Sequence, residues 1–351
     1  MYSIYRHHGN RHRERRLHMA TYYHSTFVGT LTFDVGSVVT RAGFAGDDCP
    51  RSIYPSSIGV WVDDSGCQNH AVMERKNSFN PATLARIQTR QFVPANAGGD
   101  LWILRNLLEH GLKHLGCTSW TEHPVVLSEP TDTSTSTRRQ TAEFMFEELG
   151  VPALCISRAA ELIAISLGHA TASVLEVGGD ASTAAVVADG AVIARSVRKS
   201  KLGGTLLAQM LMKSLSQLPS SNMDGSTPPN APSAQHDVSL RNHIRDQQAW
   251  KMLESVGRCV ETRAASQAQR KAGVAAKTAV PVEYTLPDGR TIEVRNEGHS
   301  ACEHLFDEQQ QMDSHGMLPL QSLVIDAITS VEPDMHKELL RHTILAGGLS
   351  L

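Results

Sequence analysis

The stretch that decides the fold is Leu31-Thr32-Phe33-Asp34-Val35-Gly36-Ser37-Val38-Val39-Thr40. An apolar run ends in Asp-x-Gly-Ser, and a second β-prone run follows at once, a pattern that predicts a β-hairpin with a glycine turn. Glycine lets a ligand approach the backbone closely, and Ser37 and nearby N–H groups can point into the turn. An aspartate at its lip can hold the hydrated metal ion that accompanies phosphate. These four residues alone indicate either a phosphate site or an ordinary turn.

The residues that follow favour the phosphate site. They are Arg41-Ala42-Gly43-Phe44-Ala45-Gly46-Asp47-Asp48 and Pro55-Ser56. The whole string closely resembles, without a gap, the first phosphate-binding segment of actin and the actin-related proteins. The resemblance implies an α/β actin-like ATPase fold, with two related halves, each a mixed five-stranded sheet with flanking helices. ATP would lie between them.

A second unit repeats this design later in the chain. Residues 171–177 predict a strand ending in Glu176-Val177-Gly178-Gly179-Asp180, and two further strands flank the Asp189-Gly190 turn. The order strand, acid, glycine turn, strand is the same in both units. This internal duplication predicts one phosphate loop in each half of the molecule.

The resemblance implies a nucleotide site built from three glycine-bearing segments. Its members are Asp34, Gly36, Ser37 and Arg41, then Glu176, Gly178, Gly179 and Asp180, and finally Gly347 and Gly348. The implied cofactor is ATP or ADP with Mg²⁺ or Ca²⁺, and the metal would be held through water by Asp34 and Glu176. Two positions depart from actin, because Glu176 and Gly179 stand where it has aspartates.

Glu143 is a further departure, standing where actin has the glutamine that orients the hydrolytic water. A carboxylate can act as a general base, but beside a triphosphate its charge is repulsive. Several nuclear actin-related proteins carry an acid here and are poor or inactive hydrolases. The alternative is that Glu143 is only a solvated helix residue. Either way, hydrolysis is expected to be slow or absent, and no residue is assigned as catalytic.

The predicted organisation has three parts. Residues 1–27 form a basic, disordered extension; 28–168 form the first half, with a small, loop-rich, mobile lobe at about 60–99; and 169–351 form the second half, with a variable insertion at about 216–281. For the extension, the alternatives are an import or nucleic-acid-contacting arm, a transit peptide and metal binding by its histidines. The resemblance implies more elements after Gly348, so the second half is expected to be incomplete.

Composition narrows the function classes. The chain has 351 residues, a formal net charge of -3 and six cysteines. This length predicts about two domains, and the charge favours neither nucleic acid nor a membrane as a global partner. No C-x-x-C pair occurs, which argues against a zinc site and a disulfide framework and favours a nuclear or cytosolic compartment. No apolar run approaches the ~20 residues of a membrane span.

Several segments resemble one nuclear class of the family, called actin-related protein four. They are residues 33–37 with 48–50, 198–204, 284–289 and 305–307. That class works with actin as a non-filament structural subunit of chromatin-remodelling and histone-acetyltransferase complexes, where it contacts histones. The resemblance therefore implies a nuclear protein without sequence-specific nucleic-acid binding. The alternative is a cytoplasmic, cytoskeletal actin-like ATPase.

Overall fold

The computed structural model describes residues 29–74, 83, 86–93, 101–216, 238–259, 282–285, 291–306 and 317–348. The strands are β1 Leu31–Val35, β2 Val39–Phe44, β3 Ser52–Pro55, β4 Ser57–Val62, β5 Gln68–Val72, β6 Gln88–Gln91, β7 Val125–Glu129, β8 Leu154–Arg158, β9 Ala172–Val177, β10 Ser182–Ala188, β11 Ala191–Val192, β12 Arg198–Ser200, β13 Val282–Thr285, β14 Thr291–Val294 and β15 Thr343–Ala346. The α-helices are α1 Leu101–His114, α2 Thr135–Glu143, α3 Ala159–Ser166, α4 Gly204–Ser216, α5 Val238–Val256, α6 Glu297–Glu303, α7 Leu320–Thr329 and α8 Pro333–Arg341.

The first half is built on a mixed sheet of five strands in the order β3-β2-β1-β7-β8. Strand β1 pairs antiparallel with β2 and parallel with β7, so the predicted hairpin lies at the centre of the sheet. Helix α1 buries Leu104, Leu107, Leu108 and Leu112, which recur at helical spacing and join the sheet's core. This packing holds the end of β1 at a defined place.

The small lobe corrects one expectation. Residues 60–99 were expected to be rich in loops, but β4, β5 and β6 form a three-stranded antiparallel sheet. The polar sequences of β5 and β6 leave most of their side chains exposed or half-buried, so they lack the apolar alternation that predicts strands. The predicted turn near 95–99 and the predicted mobility lie outside what the structure describes or tests.

The second half repeats the plan of the first. Its five-stranded sheet runs β11-β10-β9-β15, with β12 also paired to β10. Strand β9 pairs antiparallel with β10 and parallel with β15, as β1 does with β2 and β7. Asp189 and Gly190, with φ of 51° and 80°, form the two-residue turn between β10 and β11. The predicted fold of two related halves with mixed five-stranded sheets is confirmed.

Three local features differ from the simplest expectation. One strand was expected over residues 191–197, but a 3₁₀ turn at Ala194–Ser196 separates β11 from β12. The helix expected over 137–149 ends in a π-helical turn, Phe144–Glu148, before Gly150 with φ 72°. Helix α5 falls within the predicted variable interval 216–281, yet it packs in the second half's core.

Other predictions lie outside the described residues or are reported only for part of the chain. The Asp288-Gly289 pair predicts a hairpin over residues 282–294, and β13 and β14 pair as this predicts. The turn itself and the extension 1–27 lie outside the described residues. Pro333 begins α8, as expected for a proline at the first turn. Within the described part of the chain, no helix is long and apolar enough to cross a membrane.

Candidate nucleotide site between the two halves

The two predicted phosphate loops have the same backbone geometry. The N–H of Gly36 donates to the Val39 carbonyl at 3.1 Å, and the N–H of Gly178 donates to the Ala181 carbonyl at 3.0 Å. A Cβ atom at either glycine would lie 3.0 Å from that same carbonyl oxygen. Both turns therefore close tightly with backbone exposed where a side chain would otherwise stand, which suits close approach of a phosphate.

Asp34 lies at the end of β1 and is held from both neighbouring strands. Arg41, its partner on β2, donates from Nη1 to Oδ2 at 3.0 Å, and Ser128, its partner on β7, donates to Oδ1. Cross-strand register therefore gives this acid one cation and one hydroxyl. Arg41, predicted to contact phosphate, is paired with Asp34 in this arrangement.

Glu176 occupies the equivalent place at the end of β9, but its cross-strand partners are the uncharged Thr183 and Ala346. Its hydrogen bond comes from across the cleft, where Thr131 donates to Oε1 at 2.8 Å. Burial raises the pKa of Glu176 from 4.5 to about 7, with further increases from the charges of Asp34 and Asp132 and opposition from the Thr131 hydrogen bond. Among the residues that the structure describes, no cation is paired with this acid of the second half.

Thr131 joins the two halves at this point. Its Oγ1 accepts a hydrogen bond from the Ala160 N–H at 3.0 Å and donates one to Glu176. The hydroxyl therefore acts as both donor and acceptor. Nearby, Lys199 of β12 donates to Asp132 at 2.6 Å. These two contacts hold the loop after β7 against the second sheet, which keeps the two acids on facing sides of one cleft.

The two glycine loops touch each other directly. A Cβ atom at Gly179 would lie 2.5 Å from Cγ2 of Val38 and 2.7 Å from Oγ of Ser37. Asp180 accepts from Thr205 at 3.2 Å, and burial raises its pKa against the opposing effects of Thr205, Lys199 and Ser37. Because Gly179 has no side chain, Val38 can occupy the space beside it. The glycine that stands where actin has an aspartate and the valine of the first loop therefore fit together.

Trp250 of α5 covers the far side of the second loop. A Cβ atom at Gly204 would lie 2.0 Å from its ring, and one at Gly179 would lie 3.6 Å from it. A Cβ at Gly203 would lie 2.4 Å from the Gly179 carbonyl oxygen. The start of α4 therefore packs on the loop backbone with no space for side chains, which makes this loop rigid.

The third segment reaches the same edge of the sheet. Gly347 follows β15 with φ 106°, and a Cβ there would lie 2.3 Å from the Val177 carbonyl oxygen, one residue after Glu176. Gly348 has open space around its Cα. Parallel pairing of β15 with β9 therefore brings Gly347 and Gly348 to the second loop.

Glu143 does not join this group. It ends α2 with an exposed side chain, and its Oε1 lies 3.5 Å from Nε of Arg139 one turn earlier. The buried acid in this region is Glu129, which receives hydrogen bonds from Arg138 and faces Arg158 at 4.0 Å. The geometry of Glu143 matches the solvated helix residue that the sequence left as the alternative.

The structure therefore brings all ten proposed nucleotide-binding residues to one edge of the cleft, whereas Glu143, which is not one of the ten, lies outside this group. The sequence alone did not assign Ser128, Thr131, Lys199 or Trp250 to the site, because their side chains reach the cleft only through the fold. Two facing carboxylates, one of them without a cation, offer the oxygen ligands that hydrated Mg²⁺ or Ca²⁺ prefers. Together with the two glycine turns, these residues fit a metal-bound phosphate group.

Comparisons with known proteins agree with this geometry. The family model described as Actin matches residues 25–351. Actin-related protein 4 of Oryza sativa subsp. indica is 28% identical over 371 residues, covering 92% of this chain and 82% of the relative. Actin-related protein 4 of Arabidopsis thaliana is 26% identical over 362 residues, with the same shares. The SWI/SNF and RSC complexes subunit arp42 of Schizosaccharomyces pombe is 26% identical over 363 residues, again with the same shares.

Proposed function

The chain belongs to the actin family, and from this premise we propose that it is a nuclear, non-filament structural subunit of a chromatin-remodelling or histone-acetyltransferase complex. Nucleotide binds weakly or as a structural element of this subunit, with little hydrolysis. The single observation that carries the proposal is that similarity to actin-related protein 4 and to a SWI/SNF and RSC complexes subunit extends over 92% of this chain.

The relatives support the chromatin part of the proposal. Two are named actin-related protein 4, and a third is named as a subunit of the SWI/SNF and RSC complexes. Similarity extends over 92% of this chain in each case, so both halves and the cleft are included. We propose other subunits of such a complex, actin and histones as the partners of this chain.

The cleft residues have separate roles toward ATP or ADP. The N–H groups of Gly36 and Gly178 close their own turns, so other N–H groups of the two turns would bind the phosphates, and Ser37 would add a hydroxyl. Asp34 and Glu176 would hold Mg²⁺ or Ca²⁺ through water, and the cation would supply positive charge beside the phosphates. Glu176, whose pKa without a cation is about 7, would then be held in its ionised form.

Slow hydrolysis follows from the position of Glu143. General-base catalysis requires a side chain within hydrogen-bond reach of the attacking water, at ~2.6–3.2 Å or through one further water. Glu143 is exposed, and its Oε1 lies 3.5 Å from Nε of Arg139 one turn earlier on α2. A nucleotide held in this cleft therefore serves to join the halves.

The test is purification of the tagged full chain from nuclear extract, followed by mass spectrometry. The proposal predicts recovery of remodeller or acetyltransferase subunits together with actin, in a complex that survives gel filtration. A chain that elutes alone, with none of these subunits, would overturn it. An untagged extract and a tagged conventional actin serve as controls.

The retained Asp34 and both glycine turns favour a second candidate, a cytoplasmic actin-like ATPase of the cytoskeleton. It predicts that the purified chain pellets as filaments when salt and ATP are added. The structural-subunit proposal predicts that the chain stays in the supernatant under conditions in which actin pellets.

A further inference from the structure

A second cluster of polar side chains lies between α1 and the small lobe, away from the cleft. Helix α1 carries His110 and His114 one turn apart, and Glu74 follows β5 of the lobe. Oε1 of Glu74 lies 3.3 Å from Nε2 of His110 and 3.9 Å from Nδ1 of His114. The three candidate ligand atoms all lie within 4.8 Å of one another.

These distances match the coordination geometry of zinc. Zinc binds histidine nitrogen and carboxylate oxygen at about 2.0–2.1 Å, so tetrahedral ligand atoms are separated by about 3.3–3.4 Å. The Glu74–His110 pair already has this separation, and His114 needs a movement of less than about 1.5 Å. Two imidazoles and one carboxylate leave a fourth position for water, a common arrangement for Zn²⁺.

The surrounding residues hold both imidazole rings in place. Tyr54 packs edge-on against His110 and His114, with ring centroids 4.8 and 6.1 Å away, and its hydroxyl donates to the Leu107 carbonyl of α1 at 2.7 Å. A Cβ atom at Gly111 would lie 2.5 Å from that hydroxyl, so only a glycine at this position leaves enough space for the Tyr54 side chain. Ligands fixed by packing are preorganised for binding a metal.

One ring nitrogen has no hydrogen bond. Nε2 of His110 is shielded from solvent and makes no hydrogen bond of acceptable geometry, although Glu74 lies 3.3 Å away. Nδ1 of His114 lies 3.0 Å from the Ser52 hydroxyl, a contact that metal binding would replace.

We propose that Glu74, His110 and His114 form a Zn²⁺ site that ties the small lobe to α1, with water at the fourth coordination position. The cysteine spacing argued against zinc, but that argument concerns thiolate sites, and these ligands come from histidine and glutamate. The ion would crosslink the end of β5 to a helix packed on the first sheet. Zinc would thereby restrain the lobe relative to the rest of the first half.

The test is a Zn²⁺ titration of the full chain after chelator treatment, by calorimetry and by competition with a metal-binding dye. The variants are His114→Gln, which removes an exposed ligand, and Glu74→Gln, which keeps the shape of the side chain. The matched control is His304→Gln, because His304 is a half-buried histidine of the second half that hydrogen-bonds locally to the Ser300 carbonyl. Histidines near the N-terminus are present in every sample, so only the difference between variants is interpreted.

The proposal predicts that one zinc site is lost, or weakened at least about 100-fold, in both ligand variants, because loss of an outer-shell partner alone costs about 10–100-fold. It also predicts that Zn²⁺ raises the melting temperature of the parent and of His304→Gln, but not of His114→Gln. Equal zinc affinity and stoichiometry in all four proteins would overturn it. So would a parent chain that binds no Zn²⁺, which would leave Glu74 and His110 as a simple carboxylate–imidazole pair.

Discussion

Replacing Glu176 by glutamine tests the electrostatics of the cleft. The folded-state pKa of Glu176 is about 7 and the unfolded value is 4.5, so the folded chain holds this proton more tightly. Stability is then lost as pH rises from the unfolded pKa through the folded one, because the unfolded state ionises first. A difference of about 2.5 pKa units corresponds to at most about 3 kcal/mol, and we expect about 1–3 kcal/mol because the residue keeps some contact with solvent.

Glutamine keeps the oxygen that accepts from Thr131 and carries no charge at any pH. Glu176→Gln is therefore expected to be more stable than the parent, by an amount that grows between about pH 5 and pH 8 and then levels off. The assay is urea unfolding of both chains across this range without nucleotide. Fluorescence can follow Trp120 in the first half's core and Trp250 beside the second loop.

The matched control is Glu332→Gln, since Glu332 is exposed and its pKa is lowered by its contacts with Arg195. Its effect is expected to be constant from pH 5 to pH 8. Saturating ATP with Mg²⁺ or Ca²⁺ should stabilise the parent more than Glu176→Gln, because the variant lacks a carboxylate for the cation. A stability difference that does not change with pH, or a Glu176→Gln chain less stable than the parent at pH 8, would refute the reasoning.

Two further substitutions probe the packing around the cleft, with urea unfolding as the measurement. Gly179→Ala is expected to cost about 1–3 kcal/mol, because its new methyl meets Val38, and the additional change Val38→Gly should recover part of that loss; purely additive effects would contradict the contact. Arg138→Met is expected to lower the free energy of unfolding by about 2–3 kcal/mol, because the buried Glu129 loses an ion-pair partner. The loss is smaller than for a fully buried ion pair because Arg138 is partly exposed. Arg139→Met, on the exposed side of the same helix, should stay within about 0.5 kcal/mol, and equal losses in both variants would argue against this account.

Local turn chemistry made the central hairpins predictable. Gly36 and Gly178 close their turns as the Asp-x-Gly-Ser and Val-Gly-Gly patterns indicate, and Asp189-Gly190 adopts the positive φ values such a pair favours. The small-lobe sheet was missed because β5 and β6 expose most of their side chains, so pairing with β4 rather than local pattern holds them. Short polar strands of this kind carry no periodic signal.

The site was predictable only where its residues lie on the glycine turns. The resemblance supplied the acids and glycines, but it did not supply the partners that set their behaviour. Thr131 and Trp250 come from a loop and a helix far away in sequence, and their importance depends on the way the halves meet. The contact between Val38 and Gly179 likewise forms only in the tertiary structure, because the two residues lie far apart in the sequence.

The central claim is that this chain keeps the family's cleft as a structural element with little hydrolysis. The most direct measurement is a single-turnover experiment, in which the purified full chain is loaded with labelled ATP and the bound nucleotide is analysed over several hours. The account predicts that bound label is recovered as ATP and that Asp34→Ala abolishes its retention. Steady release of phosphate by the parent chain, abolished in Asp34→Ala, would contradict it.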